Sequence, residues 1–278
     1  MKSEKDLILE RKLRLWRCLE LLMLCLRVVG SIALLAGTIY GPALLIGIFL
    51  LVFSWIFLEI CARRLRRIVS EHVVPQVLQE VFDQVTYDPL GCTPCPDTLP
   101  LPRYRQQKGC HRIRGVYHGQ SVEMSTLVLC RTRRPALSYC RWKRYRRIFC
   151  GVMLTFDTGR PIHAAVTLME RSLPNQKMGA DYGIETENRD FNKRFCVRCA
   201  DRQEALRILT PDVIGHIMSE DLLSRRHMYF EQSGKVHAAI ACKEGLFEVT
   251  DSRVCLERLR RQFRGELQDI LSVVWKSK

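Results

Sequence analysis

The sequence predicts an α+β protein in which an N-terminal transmembrane helical hairpin is followed by a cytoplasmic domain of antiparallel β-hairpins packed with helices. Three observations carry this. Val28 to Leu58 contains no charged residue. Later runs alternate apolar and polar residues in pairs separated by turn residues, the period of half-buried strands. Apolar residues at helical spacing flank those runs. The composition shifts divide the 278 residues into an amphipathic segment (1–21), a two-helix hairpin (22–61), a stalk helix with a Pro-rich loop (62–102) and the α+β domain (103–278).

Met1 to Glu20 mixes basic and acidic residues with Leu9, Leu13, Trp16 and Leu19, which reads as a helix lying at the membrane surface and running into the first span. Its length, its acidic residues and the late start of the apolar run argue against a cleaved signal peptide. A single helix over Val28 to Leu58 would be about 46 Å long, beyond a hydrocarbon core of about 30 Å, and Gly41-Pro42 interrupts it. Two short helices joined by a tight turn there are expected. The first begins near Leu22 and takes in Arg27, whose depth suits snorkelling to the head groups. The second runs from about Ala43 to Ile60, with Trp55 near its end, and stops at Arg63, Arg64, Arg66 and Arg67. Basic flanks on both sides place the N-terminus and everything after Cys61 in the cytoplasm. Thirteen scattered cysteines agree with a reducing compartment and not with a secreted disulfide framework.

Val74, Val77, Leu78, Val81, Phe82 and Val85 then recur at helical spacing, with Pro75 in the first turn. Tyr87 to Pro102 is a Pro-rich loop that separates this stalk from the domain proper. Strands follow at Gly115 to Tyr117 and Val122 to Leu129 around a Tyr117-His118-Gly119-Gln120 turn. Ile148 to Phe156 and Ile162 to Leu168 read as a hairpin about Asp157-Thr158-Gly159-Arg160, and His227 to Phe230 with Lys235 to Cys242 as another about Ser233-Gly234. Helical segments are expected at Asp190 to Phe195, Asp201 to Leu209, from Thr210-Pro211 onward, and over Asp251 to Trp275.

The net charge of +15 and pI near 9.5 draw the soluble part to polyanions. The charge concentrates in one loop, where Arg131, Arg133, Arg134, Arg141, Lys143, Arg144, Arg146 and Arg147 surround Trp142 and Tyr145 with no acid among them. Beside a lipid bilayer such a cluster suits anionic head groups, with the aromatics at the interface. An acidic protein surface is a second candidate partner. Phosphates and stacked bases of nucleic acid are a third, and a solvated loop is the plain alternative. Cys92-Thr93-Pro94-Cys95 and Cys196-Val197-Arg198-Cys199 have the spacing of zinc chelation, so a zinc- or thiol-dependent enzyme is the other class of function. Against it, the pairs lie far apart in sequence and no βαβ pattern surrounds either. Glu185, Glu187 and Asp190 form an acidic cluster in a polar loop, the composition of a solvated face. The seven histidines show no ligand or triad spacing, and there is no P-loop or dinucleotide fingerprint. No catalytic residue, metal ligand or cofactor is assigned.

Three stretches carry a family resemblance. Ile148-Phe149-Cys150-Gly151-Val152 leads to Phe156-Asp157; Asp190-Phe191-Asn192-Lys193-Arg194-Phe195-Cys196-Val197 precedes Gln203-Glu204-Ala205 and Ile208-Leu209-Thr210-Pro211; Leu246-Phe247-Glu248 follows near the end. With the paired spans, these resemble the bacterial two-pass membrane proteins carrying the domain DUF3137, over roughly Leu21 to Val249. Leu206-Arg207 departs from the family, which shows Arg followed by an aromatic at that point. The resemblance implies the two-pass topology and the fold, at a bacterial inner membrane, and supplies no activity.

Overall fold

The computed structural model describes residues 4–36, 41–133, 144–172, 183–219, 226–249 and 255–274. They divide into two units, one of residues 1–77 with 247–264 and one of residues 78–246 with 265–278.

The first unit is helical. Helix α1 (Glu4–Ala36) and helix α2 (Gly41–Ile68) pack as a hairpin, and both are long and apolar enough to cross a membrane. Helix α1 runs on from the charged segment into the first apolar stretch, as expected, and α2 extends further past Ile60 than expected. Gly41 and Pro42 open α2, where a proline's missing N–H costs nothing, and the connection at 37–40 lies outside the described residues. Antiparallel approach is set by two glycines. A Cβ on Gly47 would stand 2.7 Å from the Leu34 backbone nitrogen, and one on Gly30 3.1 Å from Leu50 Cβ. Such close backbone packing lets the two helices meet along small residues. Outward-facing Leu22, Val29, Ile32, Leu45, Phe49, Phe53 and Trp55 remain exposed, and Phe49, Phe53 and Phe57 stack in sequence at 6.1 and 5.9 Å. Arg27 is on the exposed surface of α1, away from the helix contact.

The charged start of α1 is buried on one side. Leu9 and Leu13 are buried, as are Cys61, Leu65, Val69 and Val73. In the same unit Arg260 bonds Asp6 at 2.8 Å and also reaches Gln76, while Phe247 meets Phe263 edge-on at 5.2 Å. Between α2 and helix α3 (Val74–Val81) the chain makes one wide π turn, Val69–Val73. Pro75 has no N–H for a regular bond and its ring crowds the carbonyl four residues back, so the preceding turn widens and Val74 N–H reaches Val69 O.

The second unit is built on one antiparallel eight-stranded sheet: β1 (Gln84–Asp88), β2 (Gln106–Tyr117), β3 (Gln120–Arg133), β4 (Arg144–Asp157), β5 (Val166–Glu170), β6 (Phe195–Cys199), β7 (Arg226–Phe230) and β8 (Lys235–Ala241), in the order β1-β2-β3-β4-β8-β7-β5-β6. Val85, expected on the stalk helix, lies in β1. The β2–β3 turn is as expected, with His118 and Gly119 at φ 49° and 78°, the left-handed pair of a two-residue hairpin turn. So is β7–β8, where Gly234 adopts φ 86°.

The expected β4–β5 hairpin does not form. After β4, Thr158 N–H bonds Gly234 O at 3.0 Å and Ile162 N–H bonds Gln232 O at 3.2 Å. The chain thus crosses the β7–β8 turn, and β8 and β7 separate β4 from β5. Short helices form at the three expected places: α4 (Arg189–Arg194), which the structure caps with Asn188, α5 (Arg202–Ile208), capped by Asp201, and α6 (Pro211–Ser219), which follows the expected Thr210. Helix α7 (Leu256–Leu271) buries Leu256, Leu259, Phe263, Leu267, Ile270 and Leu271, as its period requires.

The Pro-rich stretch is no free linker, because it packs onto one sheet face. Cys95 and Leu99 join Leu127, Leu129, Phe149, Met153 and Ala239 in one buried cluster, and Thr93 N–H bonds Ser125 Oγ at 3.0 Å.

The glycine contacts give a paired test. Gly47→Ala is expected to lower hairpin stability by about 1–3 kcal/mol, since the Leu34 backbone has to move. Gly41→Ala, where a Cβ meets nothing within 4 Å, is expected to be neutral. Thermal unfolding of the two variants in detergent measures the difference.

Candidate functional site

The basic segment proves to be the end of a strand pair rather than a loop throughout. Arg131 and Arg133 are in β3 and Arg144 to Arg147 in β4, with Cys130 opposite Arg147, Arg131 opposite Arg146, Thr132 opposite Tyr145 and Arg133 opposite Arg144. Arg134, Arg141, Trp142 and Lys143 lie outside the described residues. Arg131, Arg146 and Arg147 are exposed, and Tyr145 is 50% exposed. The register slips between Leu129 and Cys130, leaving Ile148 as the extra residue of a bulge that turns the strand end. Like charges directly opposite across a ladder repel, so the exposed Arg131–Arg146 pair is stabilised by any anion that sits between them.

Two other arginines share one carboxylate. Arg112 donates to Glu123 at 2.7 Å, Arg114 reaches the same carboxylate at 3.3 Å, and Thr93 Oγ1 donates to it at 3.0 Å. Burial pushes the Glu123 carboxyl up, but these hydrogen bonds and charges outweigh it and hold its pKa below the ordinary value. Beside them the β2 strand bulges after Cys110, and His111 takes φ 59°, a strained backbone for a residue with a Cβ. Tyr87 hydroxyl meets His111 Nδ1 at 2.6 Å with the rings stacked, and His111 N–H bonds Pro89 O. Burial pushes the Tyr87 hydroxyl up and the His111 imidazole down to about 4, so a protonated tyrosine donates to a neutral histidine. Nothing in the spacing of Tyr87 and His111 announced this pair; the bulge creates it.

The two cysteine pairs do not converge. Cys92 and Cys95 ride on the loop over β2 and β3, and Cys196 and Cys199 are on β6. With β4, β8, β7 and β5 between, the separation is on the order of 20 Å, which overturns a shared four-thiolate site. Among the described residues no three His, Cys, Asp or Glu side chains gather in a way that could hold a metal ion. Glu185, Glu187 and Asp190 are exposed, and Asp190 pairs with Lys193 at 2.9 Å.

The family model described as protein of unknown function (DUF3137) matches residues 147–276. Residues 147–276 are a DUF3137 domain. The matched span leaves out the helical hairpin and all of the basic segment but Arg147, and it runs further toward the C-terminus than the motifs in the sequence reach. No curated protein matches the chain. Among solved structures, the mycobacterial trehalose monomycolate transport factor A, TtfA, is similar at 10% identity and a TM-score of 0.35, covering 76% of this chain and 98% of that one.

Within the DUF3137 domain, the segment Asp190 to Pro211 is a frame of caps and ion pairs. Asn188 accepts from Asp190 N–H and Phe191 N–H, and Asn192 accepts from Thr186 N–H and Oγ1. Glu204 accepts a forked pair from Arg207 at 2.7 Å and the His163 N–H at 2.8 Å, pinning the crossover chain to α5. The Arg207 hydrogen bonds chiefly hold the Glu204 pKa down, to about 2. This gives Arg207 a structural role. Glu170, also buried, accepts from Arg194 at 3.2 Å and from Arg226 N–H at 2.8 Å.

His227 is fully buried in β7 between Met169 and Ala239, and neither ring nitrogen has a hydrogen-bond partner among the described residues. Burial depresses its pKa from 6.5 to about 4, as it does for His111. The unfolded chain therefore binds protons between about pH 6.5 and 4 that the folded state refuses, and stability falls as the pH drops through that window. Each histidine contributes a loss on the order of 3 kcal/mol. Denaturant unfolding across that range is expected to show a steep fall in wild type and a shallower one in His227→Leu.

Proposed function

We propose that the protein is a membrane-anchored binding module whose basic β3–β4 end docks on anionic head groups of the cytoplasmic leaflet. The observation that carries this reading is the exposed Arg131–Arg146 cross-strand pair, with Arg147 and the half-exposed Tyr145 beside it. Such a pairing is unfavourable in isolation and gains from a multivalent anionic surface, where each basic residue is worth about 1 kcal/mol. The apolar hairpin supports the lipid source of the anion, because a tethered domain meets head groups at high effective concentration. The arginines Arg63, Arg64, Arg66 and Arg67 after the second apolar stretch, and Arg11, Lys12, Arg14 and Arg17 before the first, support an orientation with both ends in the cytoplasm of a bacterial inner membrane. The reading assigns no catalytic step, and an acidic protein surface or a nucleic acid are the competing partners for the same residues.

Full-length protein in nanodiscs tests this directly. Amide hydrogen exchange over residues 131–147 is expected to slow by at least about threefold in discs rich in anionic lipid compared with neutral discs, and the difference is expected to vanish at about 1 M salt. The triple change Arg131→Gln, Arg146→Gln and Arg147→Gln is expected to abolish it. Equal exchange in neutral and anionic discs ends the proposal.

A further inference from the structure

The Cys92-Thr93-Pro94-Cys95 turn is not used by the docking surface, yet it is firmly seated on the sheet. One side chain, Gln107 in β2, holds the turn at three points. Its Oε1 accepts the Cys95 N–H at 3.1 Å, and its Nε2 donates to Thr93 O at 2.8 Å and to Cys92 Sγ at 3.3 Å. The sulfur of Cys92 lies directly over Gly109, where a Cβ would stand 2.1 Å from it. A Cβ at 109 would also stand 2.4 Å from Thr126 O on β3, so glycine there admits both the thiol and the neighbouring strand.

The two thiols are also unlike. Cys92 is partly exposed, Cys95 is buried in the loop's apolar cluster, and a proline rigidifies the turn between them. Burial, then the negative charge of Asp97, push the Cys95 thiol up to about 11, against a Tyr104 hydrogen bond that lowers it. An accessible first cysteine and a buried second one two residues on are the arrangement needed for attack and resolution.

We propose that Cys92 and Cys95 form a thiol–disulfide exchange site that takes a low-molecular-weight disulfide as oxidant. The Cys92 thiolate, stabilised by the Gln107 N–H, attacks one sulfur of the disulfide, forming a mixed disulfide and releasing one small thiolate. Cys95 then loses its proton and attacks the Cys92 sulfur, forming the Cys92–Cys95 bond and releasing the second thiolate. Two electrons and two protons pass from the protein to the small disulfide, and an external thiol reverses both steps. The bond clamps the loop that covers the Leu127, Leu129 and Met153 face.

The test uses the full-length protein in detergent, equilibrated with mixtures of oxidised and reduced glutathione, then alkylated, digested and analysed by mass spectrometry. A peptide containing the Cys92–Cys95 bond is expected to accumulate as the mixture becomes oxidising and to disappear on adding dithiothreitol. In Cys95→Ser, the expected product is Cys92 carrying one glutathione. Gln107→Leu is expected to slow maleimide labelling of Cys92 at pH 7 by about threefold or more, with Gln107→Glu checked alongside in case the leucine variant does not fold. Both thiols remaining free while exposed Cys18 and Cys25 become glutathionylated would overturn the proposal, as would Cys92 bonding to a different cysteine.

Discussion

A strand with both faces buried needs a cover on each side, and that requirement shapes the second unit. In β4, Val152, Met153 and Leu154 follow one another and all are fully buried, so neither face can be left to water. Met153 and its row meet Cys95 and Leu99, which is why a Pro-rich stretch of sequence becomes a fixed cover. On the other face Phe82 presses against β2 so closely that a Cβ on Gly115 would stand 2.8 Å from its ring, and Thr126 Oγ1 accepts the Leu246 N–H. Prolines suit the covering loop because they need no N–H partner, and Gln107, Ser125 and Glu123 satisfy the polar groups that remain.

The same economy of space governs the helical hairpin. Gly30 and Gly47 allow the two backbones to meet, and the large side chains point outward. Along the hairpin Arg14 pairs with Glu10 and Arg63 with Glu59 within their own helices. Glycine therefore has one physical task at Gly47, Gly109 and Gly115 alike, which is to let a neighbour approach where any Cβ would be in the way.

Much of the fold was legible because it is local. Thr210-Pro211 announces its helix through capping chemistry, and the β2–β3 and β7–β8 turns announce themselves through residues that accept positive φ. Asp157-Thr158-Gly159-Arg160 carries an equally good turn signal, and Gly159 does adopt φ 74°, but the strand that follows pairs elsewhere. A turn signal specifies a change of direction and not a partner; the partner is chosen by sheet order. The basic cluster was legible as charge, while its register of arginine opposite arginine depends on a bulge at Ile148 that no local pattern reveals.

What the amino-acid sequence determined by itself was the apolar hairpin with its basic flanks, the α+β class, and the identity of the charged and thiol-bearing residues. These follow from composition and short-range spacing, which act through one element at a time. Only the tertiary structure decided which of those residues meet. It separated Cys92 and Cys95 from Cys196 and Cys199 across the sheet, joined Tyr87 to His111 at a bulge, and put Gln107 and Gly109 under the Cys92 sulfur. The reason is physical: cross-strand neighbours are fixed by burial of the whole sheet, a sum over both faces that no single segment contains.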